Sequence, residues 1–334
     1  MKIGMIFPGQ GSQFLGMGKE FYDDERIVQE HFEQASKCLD QNFVRLCFAS
    51  SEKELCETIN AQTAIFLISA SIYSILNEKY GIVPDIVAGH SSGEYSAIYA
   101  AKGITFPDAL YLLKKRSLFM DEATKSQNGG MLAVIGLSEN NLREICSKYD
   151  DVSGVERVAQ IVNFNSSKQF VISGTFPELE KIKLDVKSAK GKAIPLNVAG
   201  AFHSRLMLEP AKKFDDYMLK VDFKDLLIPF VNNVQAKVIL NHDQVKTSLV
   251  KQLSAPILWW QSMKEFKDCD IIIQLGPLDK LAKMLQREWP DKKIVSINIP
   301  EDIKNLLTFL GREKDFEEVK QESLEVDEIT EEVA

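Results

Sequence analysis

Apolar and polar positions along the chain switch between two periods. Lys2 to Phe7 is a short apolar run closed by Pro8-Gly9, which predicts a buried strand. Glu52 to Lys79 carries a long helical pattern that ends at Gly81. Ile86-Val87-Ala88 predicts a second strand, followed by helices over Gly93 to Ala101 and Pro107 to Glu122. A further strand falls at Ile271 to Gln274, with a helix from Lys280 to Arg287. Strands alternating with helices imply an α/β layer fold on a mainly parallel sheet.

The middle of the chain has a different order. Met131 to Ile135 predicts a strand and Glu139 to Tyr149 a helix. Gln160 to Asn165 and Gln169 to Ser173 predict strands joined by the turn Ser166-Ser167-Lys168. Pro177 to Lys187 then reads as helix and Ala193 to Leu196 as a last strand. That βαββαβ order is the ferredoxin-like unit. Gln127-Asn128-Gly129-Gly130 and Val198-Ala199-Gly200 stand where hinges belong. The expected organisation is a large α/β domain formed by residues 1–126 and 199–311, a small ferredoxin-like subdomain at 127–198, and a C-terminal tail at 312–334.

Composition narrows the function classes. The chain has 334 residues, 45% of them hydrophobic and 26% charged, which excludes global disorder. A net charge of -8 argues against nucleic acid or anionic membranes as partners. The longest strongly apolar stretch, Ala64 to Tyr73, is short of the ~20 residues that cross a bilayer. No signal peptide is expected, because the first apolar run stops at Pro8. The five cysteines are scattered and form no C-x-x-C pair, so neither a disulfide framework nor a thiolate metal site is expected. These features point to the cytoplasm. No phosphate loop or dinucleotide fingerprint is present, and no bound cofactor is expected.

Gly89-His90-Ser91-Ser92-Gly93 is a G-x-S-x-G motif between a predicted strand and a predicted helix. In that context a sharp turn lifts a serine hydroxyl clear of the sheet and points a helix N-terminus at it. The plain alternative is a glycine-bounded turn around a buried serine; the flanking strand and helix favour a nucleophile. Such a serine needs a base, and the chain has four histidines, His31, His90, His203 and His242. His90 adjoins Ser91, and neighbours on a turn point apart. His31 lies in a polar helical stretch and reads as a surface residue. His242 reads as part of a helix cap. His203, in Gly200-Ala201-Phe202-His203-Ser204, has small and apolar neighbours. Elimination ranks His203 first and His242 second.

Several segments together resemble malonyl-CoA:acyl carrier protein transacylases. They are Phe7-Pro8-Gly9-Gln10-Gly11-Ser12-Gln13, the serine turn through Glu94, Arg116 with Met120, and Asn163-Phe164-Asn165-Ser166 with Gln169. Gly200 to Ser204, Val231-Asn232-Asn233-Val234, Gln252 to Pro256 and Leu275-Gly276-Pro277 follow in the same order. The likeness covers about residues 3 to 310. It departs at Ser117 and Leu278, where this family commonly has glycine.

The resemblance implies a hydrolase-like large domain and a transfer of malonyl from malonyl-CoA to an acyl carrier protein through Ser91, in ping-pong order. His203 would be the general base, oriented by the backbone carbonyl of Gln252 rather than by an acid. On that reading the Gln252 side chain matters little. Backbone N–H groups of Gln10 and Ser92 would form the oxyanion hole. Arg116 would read the substrate carboxylate. Helical spacing does not choose among Lys114, Lys115 and Arg116 on this apolar helix, but the resemblance does, and a guanidinium suits a carboxylate. A structural ion pair is the alternative. Phe202 would crowd an α-methyl group and favour malonyl over methylmalonyl, or else only pack. Gln62, Asn163 and Asn165 are second-tier candidates. The two asparagines share one strand face and either line the cleft or bond across it. CoA and the phosphopantetheine arm are substrate parts, and the enzyme is expected to be a monomer.

Two rival functions are a serine hydrolase using Ser91 with an upstream Asp and His242, and a non-catalytic carrier-binding protein. The presence of Ser91, His203 and Arg116 together disfavours both. The net charge also has an uneven distribution. Arg312 to Ala334 holds ten acidic and three basic side chains, so the tail carries seven of the eight net negative charges. The remaining body is nearly neutral and can present a basic docking patch for an anionic carrier. Lys187, Lys190 and Lys192 are candidates for it, against a plain solvated surface.

Overall fold

A computed structural model describes residues 1–316 and 318; all but the first few residues of the acidic tail lie outside the described residues. Among the described residues ten strands form two sheets. The first contains β1 (Ile3–Phe7), β2 (Ile86–Gly89), β7 (Phe230–Val231), β8 (Val238–Ile239), β9 (Ile271–Leu275) and β10 (Lys293–Ile297). Their spatial order is β10-β9-β1-β2-β7-β8. All neighbours run parallel except the edge strand β8. β1, β2 and β9 are sequestered between helices on both faces, so their residues are almost uniformly apolar. β1 lies between β2 and β9, and β1 and β2 pair as far as Phe7 with Gly89. The loops leaving their carboxyl ends are therefore neighbours, the usual place for a site in such a sheet.

The long helical pattern from Glu52 is broken once. Residues Glu52–Cys56 form a short helix, Glu57 turns extended at ψ 136°, and a new helix spans Thr58–Ser74 before a π-turn at Ile75–Lys79. Asn60 accounts for the break: its side-chain amide donates to the Glu54 carbonyl at 2.8 Å, which satisfies a group the interrupted ladder leaves free. Every residue of Thr58–Ser74 except Ile59 is buried. The combined run Thr58–Lys79 is long and apolar enough to cross a membrane by length and composition, contrary to the expectation from Ala64 to Tyr73 alone. Here 94% of its apolar window is covered by protein. It packs against helices Arg26–Leu39, Gly93–Ala100 and Phe106–Ser126.

The second sheet is formed by β3 (Gly129–Ile135), β4 (Ala159–Phe164), β5 (Gln169–Thr175) and β6 (Lys192–Pro195), in the order β4-β5-β3-β6 with every pair antiparallel. Helices Glu139–Ser147 and Phe176–Ser188 complete the βαββαβ order. Alternation along the strands divides the sheet between two cores. Leu132, Val134 and Ile172 join Leu142, Ile145 and Ile182 in a core of its own, while Met131, Val162 and Val171 join the main core. β4 is also stitched to the large sheet's side, since Phe164 N–H donates to Ile257 C=O at 2.9 Å and Ile257 N–H to Val162 C=O at 2.7 Å. Gln127 Nε2 donates to the Leu206 carbonyl at 2.6 Å, tying the two crossing segments together.

The two departures from the family pattern have local effects. Ser117 is buried and donates back to the Leu113 carbonyl at 2.7 Å. Leu278 occupies φ 58°, a left-handed conformation that glycine adopts without strain.

Candidate active site

The turn after β2 is held against its own preference. Ser91 has φ 54°, a left-handed conformation that costs on the order of 1–3 kcal/mol in a residue with a side chain. Asn233 supports it from the loop after β7. Its Oδ1 accepts the Ser91 N–H at 2.8 Å and its Nδ2 donates to the Gly89 carbonyl at 2.8 Å. Glycine is required on both sides: a Cβ on Gly89 would lie 2.0 Å from the Gly93 carbonyl carbon, and one on Gly93 2.3 Å from the Phe7 oxygen. The turn thus sits directly against the loop that leaves β1.

Ser91 Oγ is 2.8 Å from His203 Nε2, and His203 Nδ1 is 2.7 Å from the Gln252 carbonyl oxygen. A carbonyl can only accept, so Nδ1 carries the proton and Nε2 is free to take one from Ser91. His203 is buried, and burial together with the nearby Arg116 charge lowers its pKa to about 3. The imidazole is therefore neutral at physiological pH. His203 itself has φ 61°, in a loop tied by Ser204 Oγ to the Ala201 carbonyl at 2.7 Å and by Ser173 Oγ to the Phe202 carbonyl at 2.5 Å.

Arg116 projects from helix Phe106–Ser126 into the same place. Its neighbours on the helix are occupied elsewhere: Lys114 donates to the Leu39 carbonyl at 2.7 Å, and Lys115 lies 5.1 Å from the Tyr217 ring centre. Arg116 is fully buried. Nη1 donates to Gln62 Oε1 at 2.6 Å, and Nη2 to Ser91 Oγ at 3.1 Å and Gln252 Oε1 at 2.9 Å. Among the described residues its Nε has no hydrogen-bond partner and no carboxylate lies within ion-pair distance of the guanidinium. A buried guanidinium left this way is costly unless an anion arrives.

The Gln252 side chain makes hydrogen bonds of its own in the site, where the resemblance assigned a role only to its carbonyl. Besides accepting from Arg116, its Nε2 donates to the Ser91 carbonyl at 2.9 Å and to Glu94 Oε2 at 2.5 Å. Glu94 is fully buried; burial raises its pKa, while the N–H donors of Asn233 and Gln252 on its two oxygens and the nearby Arg116 charge favour the carboxylate form. In the sequence Glu94 and Asn233 stand only as parts of motifs. The available signal was an acidic residue opening an otherwise apolar helix, Gly93–Ala100.

The remaining candidates sort by distance. Gln62 bridges Arg116 to Gln10 Oε1 at 3.1 Å and lies 3.8 Å from Met120 Sδ. The backbone N–H groups of Gln10 and Ser92 donate to no acceptor among the described residues. Lys280 donates to the Gly11 carbonyl and steadies the Gln10 loop. His90 points away from Ser91: its Nε2 contacts Asn165 Oδ1 at 3.0 Å and Asn163 Nδ2 at 3.4 Å, so both asparagines, at the end of β4, meet one histidine of the serine turn. Phe202 is buried in the main core. Lys187, Lys190 and Lys192 are exposed at the end of a helix and on the edge strand β6.

His242 is not part of the site. It opens helix His242–Gln252, pairs with Asp225 at 2.8 Å, and lies about 15 Å along that helix from Gln252. His31 is not a surface residue. It is half-buried, stacks on Phe106 at 4.5 Å and meets Ser71 Oγ at 3.1 Å, and burial lowers its pKa to about 4. Among the described residues no group of three or more His, Cys, Asp or Glu is arranged to hold a metal ion.

Comparison with known proteins gives this arrangement a class. A family model described as "Acyl transferase domain" matches residues 5–264, and the chain is an acyltransferase. A malonyl CoA-acyl carrier protein transacylase of Bacillus subtilis is 35% identical over 317 residues, 94% of this chain and 99% of the relative. The crystal structure of an acyl-carrier-protein S-malonyltransferase from Burkholderia pseudomallei matches with TM-score 0.87 and 33% identity, covering 92% of this chain and all of that one. A malonyl-transacylase solved in complex with its type II PKS acyl-carrier protein matches with TM-score 0.86 and 30% identity, covering 91% and 98%. The chain belongs to the malonyl CoA-acyl carrier protein transacylase family.

Proposed function

We propose that the protein transfers the malonyl group of malonyl-CoA to the phosphopantetheine thiol of an acyl carrier protein through a malonyl ester on Ser91, and so supplies fatty acid biosynthesis. The observation that carries the reading is the buried Arg116. It lies 3.1 Å from the Ser91 oxygen and lacks a carboxylate of its own among the described residues. A malonyl group on Ser91 brings the missing anion.

Ser91 Oγ attacks the thioester carbonyl as its proton passes to His203 Nε2. The oxyanion is received by the N–H groups of Gln10 and Ser92. Collapse breaks the carbon–sulfur bond, and the CoA sulfur leaves with the proton from His203. The carrier thiol then gives its proton to His203, attacks the ester, and releases Ser91, which recovers the proton. CoA leaves before the carrier reacts, which is ping-pong order. The imidazolium that forms transiently has a carbonyl behind it rather than a carboxylate. CoA and the phosphopantetheine arm are parts of substrates, and the reading assigns no cofactor or metal. It assigns the enzyme to the cytoplasm.

Intact-mass measurement after mixing with malonyl-CoA tests this reading. A malonyl adduct on the parent that discharges when carrier protein is added, and no adduct on Ser91→Ala, is the expected result. An adduct that survives Ser91→Ala would overturn it.

A further inference from the structure

Three separate chain segments meet on one buried carboxylate behind the serine. Glu94 lies in the first turn of helix Gly93–Ala100, Asn233 in the loop after β7, and Gln252 at the end of helix His242–Gln252. Glu94 Oε1 accepts the Asn233 backbone N–H at 2.5 Å, and Oε2 accepts Gln252 Nε2 at 2.5 Å. Each partner acts on the reacting groups. Asn233 holds the strained Ser91 turn, while Gln252 holds Arg116 through Oε1 and His203 through its carbonyl.

The side-chain amide of Gln252 can be turned end for end without changing its shape. Its polarity is set by its neighbours. Both Glu94 oxygens and the Ser91 carbonyl accept, whereas Arg116 can only donate, so Nε2 faces Glu94 and Ser91 and Oε1 faces Arg116. An amide at position 94 breaks this logic. It has one acceptor for two donors, Asn233 N–H and Gln252 Nε2. If its oxygen stays on Asn233, its own NH₂ faces Gln252, and Gln252 must turn its oxygen toward it. The Gln252 NH₂ then confronts the Arg116 guanidinium, donor against donor.

We propose that Glu94 is a positioning residue for malonyl transfer: by fixing the orientation of the Gln252 amide it aims Arg116 at the carboxylate of the acyl group. The inference rests on the proposed malonyl ester on Ser91. It predicts a loss that depends on the substrate. A malonyl group needs Arg116 aimed correctly, whereas an acetyl group has no carboxylate to be read.

The test compares malonyl-CoA with acetyl-CoA as acyl donor, following acyl-enzyme formation by mass. Glu94→Gln keeps the side-chain volume and should lower the malonyl-to-acetyl rate ratio by about tenfold, the equivalent of about one charge-assisted hydrogen bond. In the Arg116→Ala background the same change should alter both substrates by one common factor. An unchanged ratio in folded Glu94→Gln overturns the proposal, as does a full ratio loss that persists without Arg116. Should Glu94→Gln not fold, Gln252→Leu removes the oriented amide and keeps its bulk; an unchanged ratio there overturns the proposal equally. A parent enzyme that forms no adduct on Ser91 would instead sink the underlying reading.

Discussion

Replacing Gln252 with alanine separates the roles of its backbone and its side chain. The carbonyl that holds His203 Nδ1 at 2.7 Å remains, so the histidine keeps its tautomer. The amide is lost, and with it the acceptor for Arg116 at 2.9 Å and the donors to Glu94 at 2.5 Å and Ser91 at 2.9 Å. Bonds to charged groups contribute about 1.5–3 kcal/mol each. Water entering the space restores part of the two charged ones. A net loss of about 3 kcal/mol in transition-state stabilisation corresponds to a roughly hundredfold fall in kcat/KM. The assay is malonyl transfer to holo-acyl carrier protein, with a thermal melt run beside it to confirm folding. If folded Gln252→Ala works within about threefold of the parent, the side chain is incidental and the reasoning about Arg116 fails with it.

Arg116→Ala should lower malonyl transfer by roughly 10²–10⁴, from the ~3–5 kcal/mol typical of a buried charge left unpaired, and acetyl transfer far less; equal losses on both donors refute its role as carboxylate reader. His203→Ala should abolish Ser91 acylation, whereas His242→Ala, at the exposed Asp225 pair, should leave steady-state transfer near the parent rate. Phe202→Ser should admit methylmalonyl-CoA at a cost of a few kcal/mol in stability from the lost core side chain, measured by turnover and urea melts; no gain of methylmalonyl turnover leaves Phe202 a packing residue. His31 is held well below its unfolded pKa, near 4 against 6.5, so its stabilising contribution is complete above pH 6.5 and is lost as the pH falls toward 4. Urea melts across that range should show His31→Gln losing less stability on acidification than the parent, and parallel curves would remove His31 from the acid limb.

The serine turn was legible because its chemistry is local: strand, glycine, serine, glycine and helix follow within a few residues. The ferredoxin-like order was legible for the same reason, since alternation and turn residues mark each of its strands. β7 was not, because two residues carry no periodicity and Phe230–Val231 become a strand by lying between β2 and β8. β10 escaped as an edge strand only partly covered by other elements. The polarity of the site was the least legible part. Gln252, Asn233 and Glu94 are ordinary polar residues in sequence, and their roles arise from contacts more than 130 residues long-range in two of three pairings. His31 misled because its helix is polar on one side, while the ring itself turns inward onto Phe106.

The serine and the groups that activate it are made at very different times. His203 lies 112 residues after Ser91, and the Gln252 amide that braces the turn lies 161 residues after it. At a synthesis rate of about 5–20 residues per second, the serine precedes its brace by roughly 8–32 s. Until His203 is made Ser91 has no base, and until Asn233 and Gln252 are made its left-handed turn lacks their support. A half-made chain meeting malonyl-CoA therefore presents an ordinary alcohol, and reactivity appears only when the last helix of the site docks.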